Sequence, residues 1–159
     1  MGSGKSTLGH ELAKKIRCRF VDMDQELERS HQLSIPQIFE KYGEEQFRKW
    51  EADLLRIISK ESNLIVATGG GLPCFYNNME VLNTSGTTIY LKLSPEIILA
   101  RISKRRETRP LISYYNDEEL KEYVFSTLEK REQFYLKANH TLEAELISVQ
   151  DLRGLIATS

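Results

Sequence analysis

A three-layer α/β/α fold, with helices on both faces of a parallel sheet, is what the order of elements in this chain predicts. Segments with apolar residues at helical spacing alternate with short apolar runs. One run, Leu64-Ile65-Val66-Ala67, is apolar without a break, as a parallel strand covered on both sides must be. The acids and glycines best suited to chemistry follow directly on these runs, at strand carboxyl ends, where parallel sheets hold ligands. At 159 residues the chain is expected to form one domain with a single core.

Leu8, Leu12, Ala13 and Ile16 predict an amphipathic helix from Lys5 to about Arg17. Phe20-Val21 reads as a short strand ending in Asp22-Met23-Asp24. On extended backbone the two acids, two residues apart, are expected to face the same side. Ser34 is placed to cap a helix with Pro36 in its first turn, and Gly43 to close it after Tyr42. A longer helix is expected from about Glu44 to Ser59, burying Phe47, Trp50, Leu54, Ile57 and Ile58. The strand Leu64–Ala67 runs into Thr68-Gly69-Gly70-Gly71, and a short helix is expected near residues 77–83. Thr88 to Leu93 repeats the strand pattern, and Ser94-Pro95-Glu96 opens another helix. The charged stretch Lys104 to Pro110 reads as a mobile lid spanning about 105–116, and a substrate-binding subdomain is expected over about 24–60. Asp117 is expected to cap a helix reaching about Ala138. A weak strand at Thr141-Leu142 and a helix from Val149 to Ile156 end the chain.

Composition narrows the function classes. Lys and Arg number 22 against 23 Asp and Glu, so nothing points to a nucleic-acid or membrane-surface partner, and an anionic ligand must be held by a local cluster. Cys18 and Cys74 fit no metal or redox pairing, and His10, His31 and His140 have no zinc spacing. With no apolar run near 18 residues and no secretory signal, a cytoplasmic protein is expected.

The chain opens Met1-Gly2-Ser3-Gly4-Lys5-Ser6-Thr7. A Gly-x-Gly-Lys-[Ser/Thr] turn feeding a helix wraps backbone N–H groups around nucleotide phosphates, a P-loop. Lys5 adds a point charge and Ser6 a hydroxyl for Mg²⁺, while Thr7 reaches the α-phosphate end through its backbone. The alternative is a flexible terminus. Asp22 suits Mg²⁺ through water and Asp24 a substrate hydroxyl, against the plainer possibility of a solvated acidic turn. Arg48 is either a surface arginine beside Phe47 or a fork for a substrate carboxylate. Gly69, Gly70 and Gly71 are costly in entropy, which a close ligand approach explains better than a plain turn. Arg109, fixed before Pro110, is the candidate lid arginine for phosphoryl transfer, and Arg131 a second cation for an anionic acceptor.

Taken together, Gly2 to Thr7, Asp22-Met23-Asp24, Ile35 to Phe39 before Gly43-Glu44, Phe47-Arg48-x-x-Glu51, Gly69-Gly70-Gly71, Arg109-Pro110-Leu111, and Arg131 with Tyr135 resemble the shikimate kinase family over nearly the whole chain. That resemblance implies ATP-dependent phosphorylation of the shikimate 3-hydroxyl on the way to chorismate and the aromatic amino acids. It implies Asp24 on the ring hydroxyls, Arg48 and Arg131 on the carboxylate, the three glycines lining the ring, Arg109 reaching ATP, Asp22 acting on Mg²⁺, and a monomer. Family members also carry a central apolar strand and a further glycine ahead of the position of Met1. Both are missing here, which is expected to expose neighbouring strand edges. A basic residue used by some members near adenine has no match around Ser148. Rival functions are a kinase of another small hydroxy acid such as gluconate, a nucleoside monophosphate kinase, and a nucleotide-binding protein without turnover.

Overall fold

The first helix, α1 (Lys5–Ile16), starts at Gly4, whose left-handed backbone (φ 85°, ψ 9°) no residue with a side chain adopts readily. The computed structural model describes residues 4–104 and 115–157. Leu12 and Ala13 face inward from α1, and the helix packs on β1 (Arg19–Asp22), β2 (Leu64–Ala67) and the last helix. β1 and β2 pair in parallel, Arg19 opposite Leu64 and Asp22 opposite Ala67, so Asp22 and the residues after Ala67 emerge at the same end.

Between β1 and the next expected helix lies one that periodicity does not reveal, α2 (Met23–His31). Asp22 caps it by accepting from the Asp24 amide at 3.1 Å. Asp24 therefore stands in the first turn of a helix and not on extended backbone, so the same-side expectation for the two acids is replaced by a capping relation. The helix escapes detection because only Met23 and Leu27 are buried on an otherwise polar segment.

Helix α3 (Ile35–Ile58) begins with a complete capping box between Ser34 and Gln37 and has Pro36 in its first turn. It breaks at Gly43 (φ 78°, ψ 167°), a backbone region open essentially to glycine, which yields the two helical segments expected. The buried face of the second segment carries Phe47, Arg48, Glu51, Ala52, Leu55 and Ile58. Ile57, expected inside, is 62% exposed, because the inward stripe passes through the Arg48–Glu51 pair instead. After β2 come a 3-10 turn (Leu72–Cys74), α4 (Asn78–Ser85), β3 (Ile89–Lys92) and α5 (Pro95–Ser103), with Ser94 as cap. Helix α6 (Asp117–Tyr135) is capped by Asn116, one residue before the expected Asp117, because Asn116 and Glu119 form a capping box. β4 (His140–Glu143) and α7 (Val149–Ala157) follow.

β3 pairs in parallel with β4, and no ladder joins that pair to β1–β2 among the described residues. Between β2 and β3 lies a groove of about 580 Å³ lined by Leu64, Val66, Ile89, Leu91, Leu8 and Leu12. The strand edges expected to be open are the walls of this groove. Three apolar clusters hold the layers: Val21, Met23, Leu55, Ile58 and Leu72 under β1–β2, Leu27, Ile38 and Phe47 between α2 and α3, and Leu93, Ile98, Ile102, Leu120 and Val124 between α5 and α6. No helix among the described residues is long and apolar enough to cross a membrane. Of the lid expected over about 105–116, residues 105–114 lie outside the described residues.

Candidate active site

At the carboxyl end of β1 and β2 the residues separated in sequence converge. Helix α1 starts with neither a side-chain cap nor an acid in its first turn, so the amides of Lys5, Ser6 and Thr7 have no intrahelical acceptor and form the positive end of the helix. Lys5 Nζ lies 3.6 Å from Asp22 Oδ2 and donates to Ser6 Oγ at 3.3 Å, while Ser6 Oγ donates to Asp22 Oδ2 at 2.6 Å. Asp22 is buried and thus holds the loop lysine and serine with one oxygen and the start of α2 with the other. The arrangement suits an anion, with a hydroxyl and a carboxylate side by side. No group of three metal-ligating side chains exists among the described residues. The hard-oxygen pair Ser6 and Asp22 fits Mg²⁺, which takes few protein ligands and completes its shell with phosphate oxygens and water.

Asp24 follows in the first turn of α2. Burial pushes its carboxyl up, with Lys5 pulling it down and Asp22 and Glu28 adding to the rise. The wall opposite is Gly69: a Cβ there would stand 2.8 Å from Asp24 Oδ1 and 3.0 Å from Glu51 Oε1. Gly71 does the same for the arginine, since its Cβ would lie 2.5 Å from Arg48 Cζ. A side chain at the first or third glycine would therefore displace the charged group beside it.

Arg48 is buried, not a surface arginine. Its Nη1 donates to Glu51 Oε2 at 2.5 Å, and Nε and Nη2 both donate to Glu44 Oε1 at 3.1 and 2.8 Å. The rings of Phe75, Phe47 and Phe39 surround the guanidinium at 4.9, 5.2 and 5.8 Å. Burial works against the charge of Arg48, and the two glutamates outweigh it. Glu51 is itself pushed up by burial against the pull of Arg48. Sequence reasoning assigns Glu51 and Glu44 no role, although their spacing from Arg48, three and four residues, marks them as neighbours on a helix face.

Gly70 meets the site from a third direction. Its carbonyl accepts from the Tyr135 hydroxyl at 2.5 Å, across 65 residues of sequence. Tyr135 and Arg131 are four apart on α6 and so share a face. Arg131 acts on Glu51, Cys74 and Tyr135, which puts it beside the Arg48 pocket. The structure thus brings Lys5, Ser6, Asp22, Asp24, Arg48, Gly69, Gly70, Gly71 and Arg131 around one corner, with Gly4 opening α1 and the exposed Thr7 in its first turn. Gly2, Ser3 and Arg109 lie outside the described residues.

The family model "Shikimate kinase" matches residues 1–155. A shikimate kinase of Parabacteroides distasonis is 43% identical over 145 residues, covering 91% of this chain and 84% of that protein. One from Azobacteroides pseudotrichonymphae is 40% identical over 153 residues, covering 96% and 90%. Among solved structures, shikimate kinase from Bacteroides thetaiotaomicron superposes with a TM-score of 0.92 at 34% identity, covering 99% of this chain and 94% of that one. Shikimate kinase from Acinetobacter baumannii in complex with shikimate superposes with a TM-score of 0.84 at 35% identity, covering 99% and 87%.

Proposed function

The chain belongs to the shikimate kinase family, and from that premise we propose that it transfers the terminal phosphoryl group of ATP to the 3-hydroxyl of shikimate. The observation that carries this is the shared corner: Asp22 joins Lys5 and Ser6 to the start of the helix that carries Asp24, which supports donor phosphates and acceptor hydroxyl being held side by side. Lys5 and the free amides of α1 receive the β- and γ-phosphates. Ser6 and Asp22 would hold Mg²⁺, which would supply charge neutralisation on the phosphates. Asp24 orients the ring hydroxyls and takes the proton of the attacking one. Arg48 and Arg131 bind the acceptor carboxylate. The half-exposed Glu44 is the partner the carboxylate displaces from the Arg48 fork, whereas the buried Glu51 stays. Gly69 to Gly71 form the wall behind the ring, and Arg109 meets the transferring group from the lid. We take the enzyme to be cytoplasmic and monomeric.

An ADP-release assay with ATP and Mg²⁺, run with shikimate and gluconate side by side, tests the proposal. Turnover with shikimate and none with gluconate is expected. The reverse would reassign the acceptor, and ATP binding without turnover on either would make the chain a nucleotide-binding protein only.

A further inference from the structure

Three consecutive glycines form the wall behind the proposed acceptor. Two of their carbonyls are held by the chain that follows, that of Gly69 by the Leu72 amide at 3.2 Å and that of Gly71 by the Cys74 amide at 2.9 Å. Without side chains on either residue, the peptide between Gly70 and Gly71 can still turn over at little steric cost. The peptide joining Gly70 to Gly71 is confined by something else. Its carbonyl oxygen accepts from the Tyr135 hydroxyl. Cys74 Sγ, at 4.0 Å from the same oxygen, sits at the limit of a sulfur contact and adds little.

We propose that Tyr135 is a positioning residue for the acceptor, its hydroxyl fixing the Gly70–Gly71 peptide in one orientation before the substrate arrives. In a planar trans peptide the C=O and the next N–H point in opposite directions. Pinning the Gly70 oxygen therefore also fixes the direction of the Gly71 N–H. The phenol is itself braced, because its ring packs against Tyr90 of β3 with centroids 5.1 Å apart. Burial also keeps the hydroxyl protonated and so a donor, against the opposing pull of Arg131 one turn earlier on α6. One helix face thus presents both a cation for the carboxylate and a clamp for the wall behind it.

This inference rests on the assignment of shikimate as acceptor, and the tests separate the two. Tyr135→Phe keeps the ring on Tyr90 and removes the hydroxyl, leaving the Gly70 carbonyl without its donor and Arg131 without its contact to that oxygen, so the order of the Gly71 amide separates the clamp from an effect on Arg131. The KM for shikimate is expected to rise about five- to tenfold, the size of one lost hydrogen bond, with the KM for ATP and kcat within about twofold and the Tm within a few degrees. An unchanged shikimate KM overturns the proposal, as does a rise in both KM values together with a falling Tm, which would mark a general loosening. A second measurement needs no substrate. The ¹⁵N order parameter of the Gly71 amide is expected at about 0.85 in the wild-type protein and lower in Tyr135→Phe, and a wild-type value below about 0.6, or equal values in the two proteins, overturns the clamp. If the wild type fails to phosphorylate shikimate, the assignment of the acceptor falls while this amide still decides the role of Tyr135.

Discussion

At the scale of single residues, Asp24 shows most directly how the chemistry is set. Its carboxyl is shifted upward by burial, more than Lys5 can offset. For an acid the sign follows: the folded protein holds this proton more tightly than the unfolded chain, so ionising Asp24 costs stability as pH rises through its folded pKa. Two outcomes are expected. Asp24→Asn should lower kcat by about 10²–10⁴-fold, the range of a lost proton acceptor, and raise the Tm at neutral pH, because a desolvated charge is removed. The wild-type kcat/KM should fall on acidification with a limb above 3.8, the ordinary value for this carboxyl, and the limb should be absent from the residual activity of the variant. A pH–rate series on both proteins with thermal melts checks this. Normal turnover in the variant would remove Asp24 from the reaction. The carboxylate is legible in the sequence as an acid beside a phosphate loop, but its environment is not. Gly69 and Glu51, distant in sequence, stand beside it, and no local pattern announces them.

Elements are more legible than contacts. Helices with a polar cap followed by an apolar stripe fall within a residue or two of their expected starts, as at Ser34 and Ser94. The exception, α2, has two buried side chains and no stripe, so only the cap at Asp22 marks it. The inward face of α3 departs from expectation at Ile57 because hydrophobicity predicts burial of aliphatic side chains and cannot foresee an ion pair taking that place. The break at Gly43 has a mechanical role. It frees the segment carrying Arg48 and Glu51 to take a direction different from the segment that begins at Ser34. A Cβ added by Gly43→Ala meets no neighbouring atom within 4 Å, so its cost is purely conformational, about 1–3 kcal/mol, or roughly 3–10 °C in Tm. If the substitution is accommodated by straightening α3, the shikimate KM should rise as well while the ATP KM holds. Melting curves and steady-state kinetics report the two effects separately, and an unchanged Tm would show that the backbone there is unstrained.

On the scale of the whole molecule, the α/β layering is legible from alternation alone, whereas the division of the sheet into two parallel pairs depends on which edges find a partner, and no strand's own pattern states that. Two-stranded sheets are weak by themselves, and here each inner edge, at β2 and at β3, borders the apolar groove. Extending the chain ahead of Met1 by about five apolar residues ending in glycine should fill that groove. Four buried aliphatic side chains contribute about 1.5–3 kcal/mol each before the entropy of ordering them. A net rise in Tm on the order of 10 °C is expected, with none from an extension of equal length built of lysine and glutamate. Equal melting of the two extended proteins would show that the groove does not accept a strand. Asp22, at the rim of the same layer, carries a different consequence. With one oxygen committed to Ser6 and the other to the amide of Asp24, it ties the proposed donor and acceptor compartments together for an engineer. A library aimed at a new phosphate donor through this position will also retune the choice of acceptor, and the two traits must be selected together.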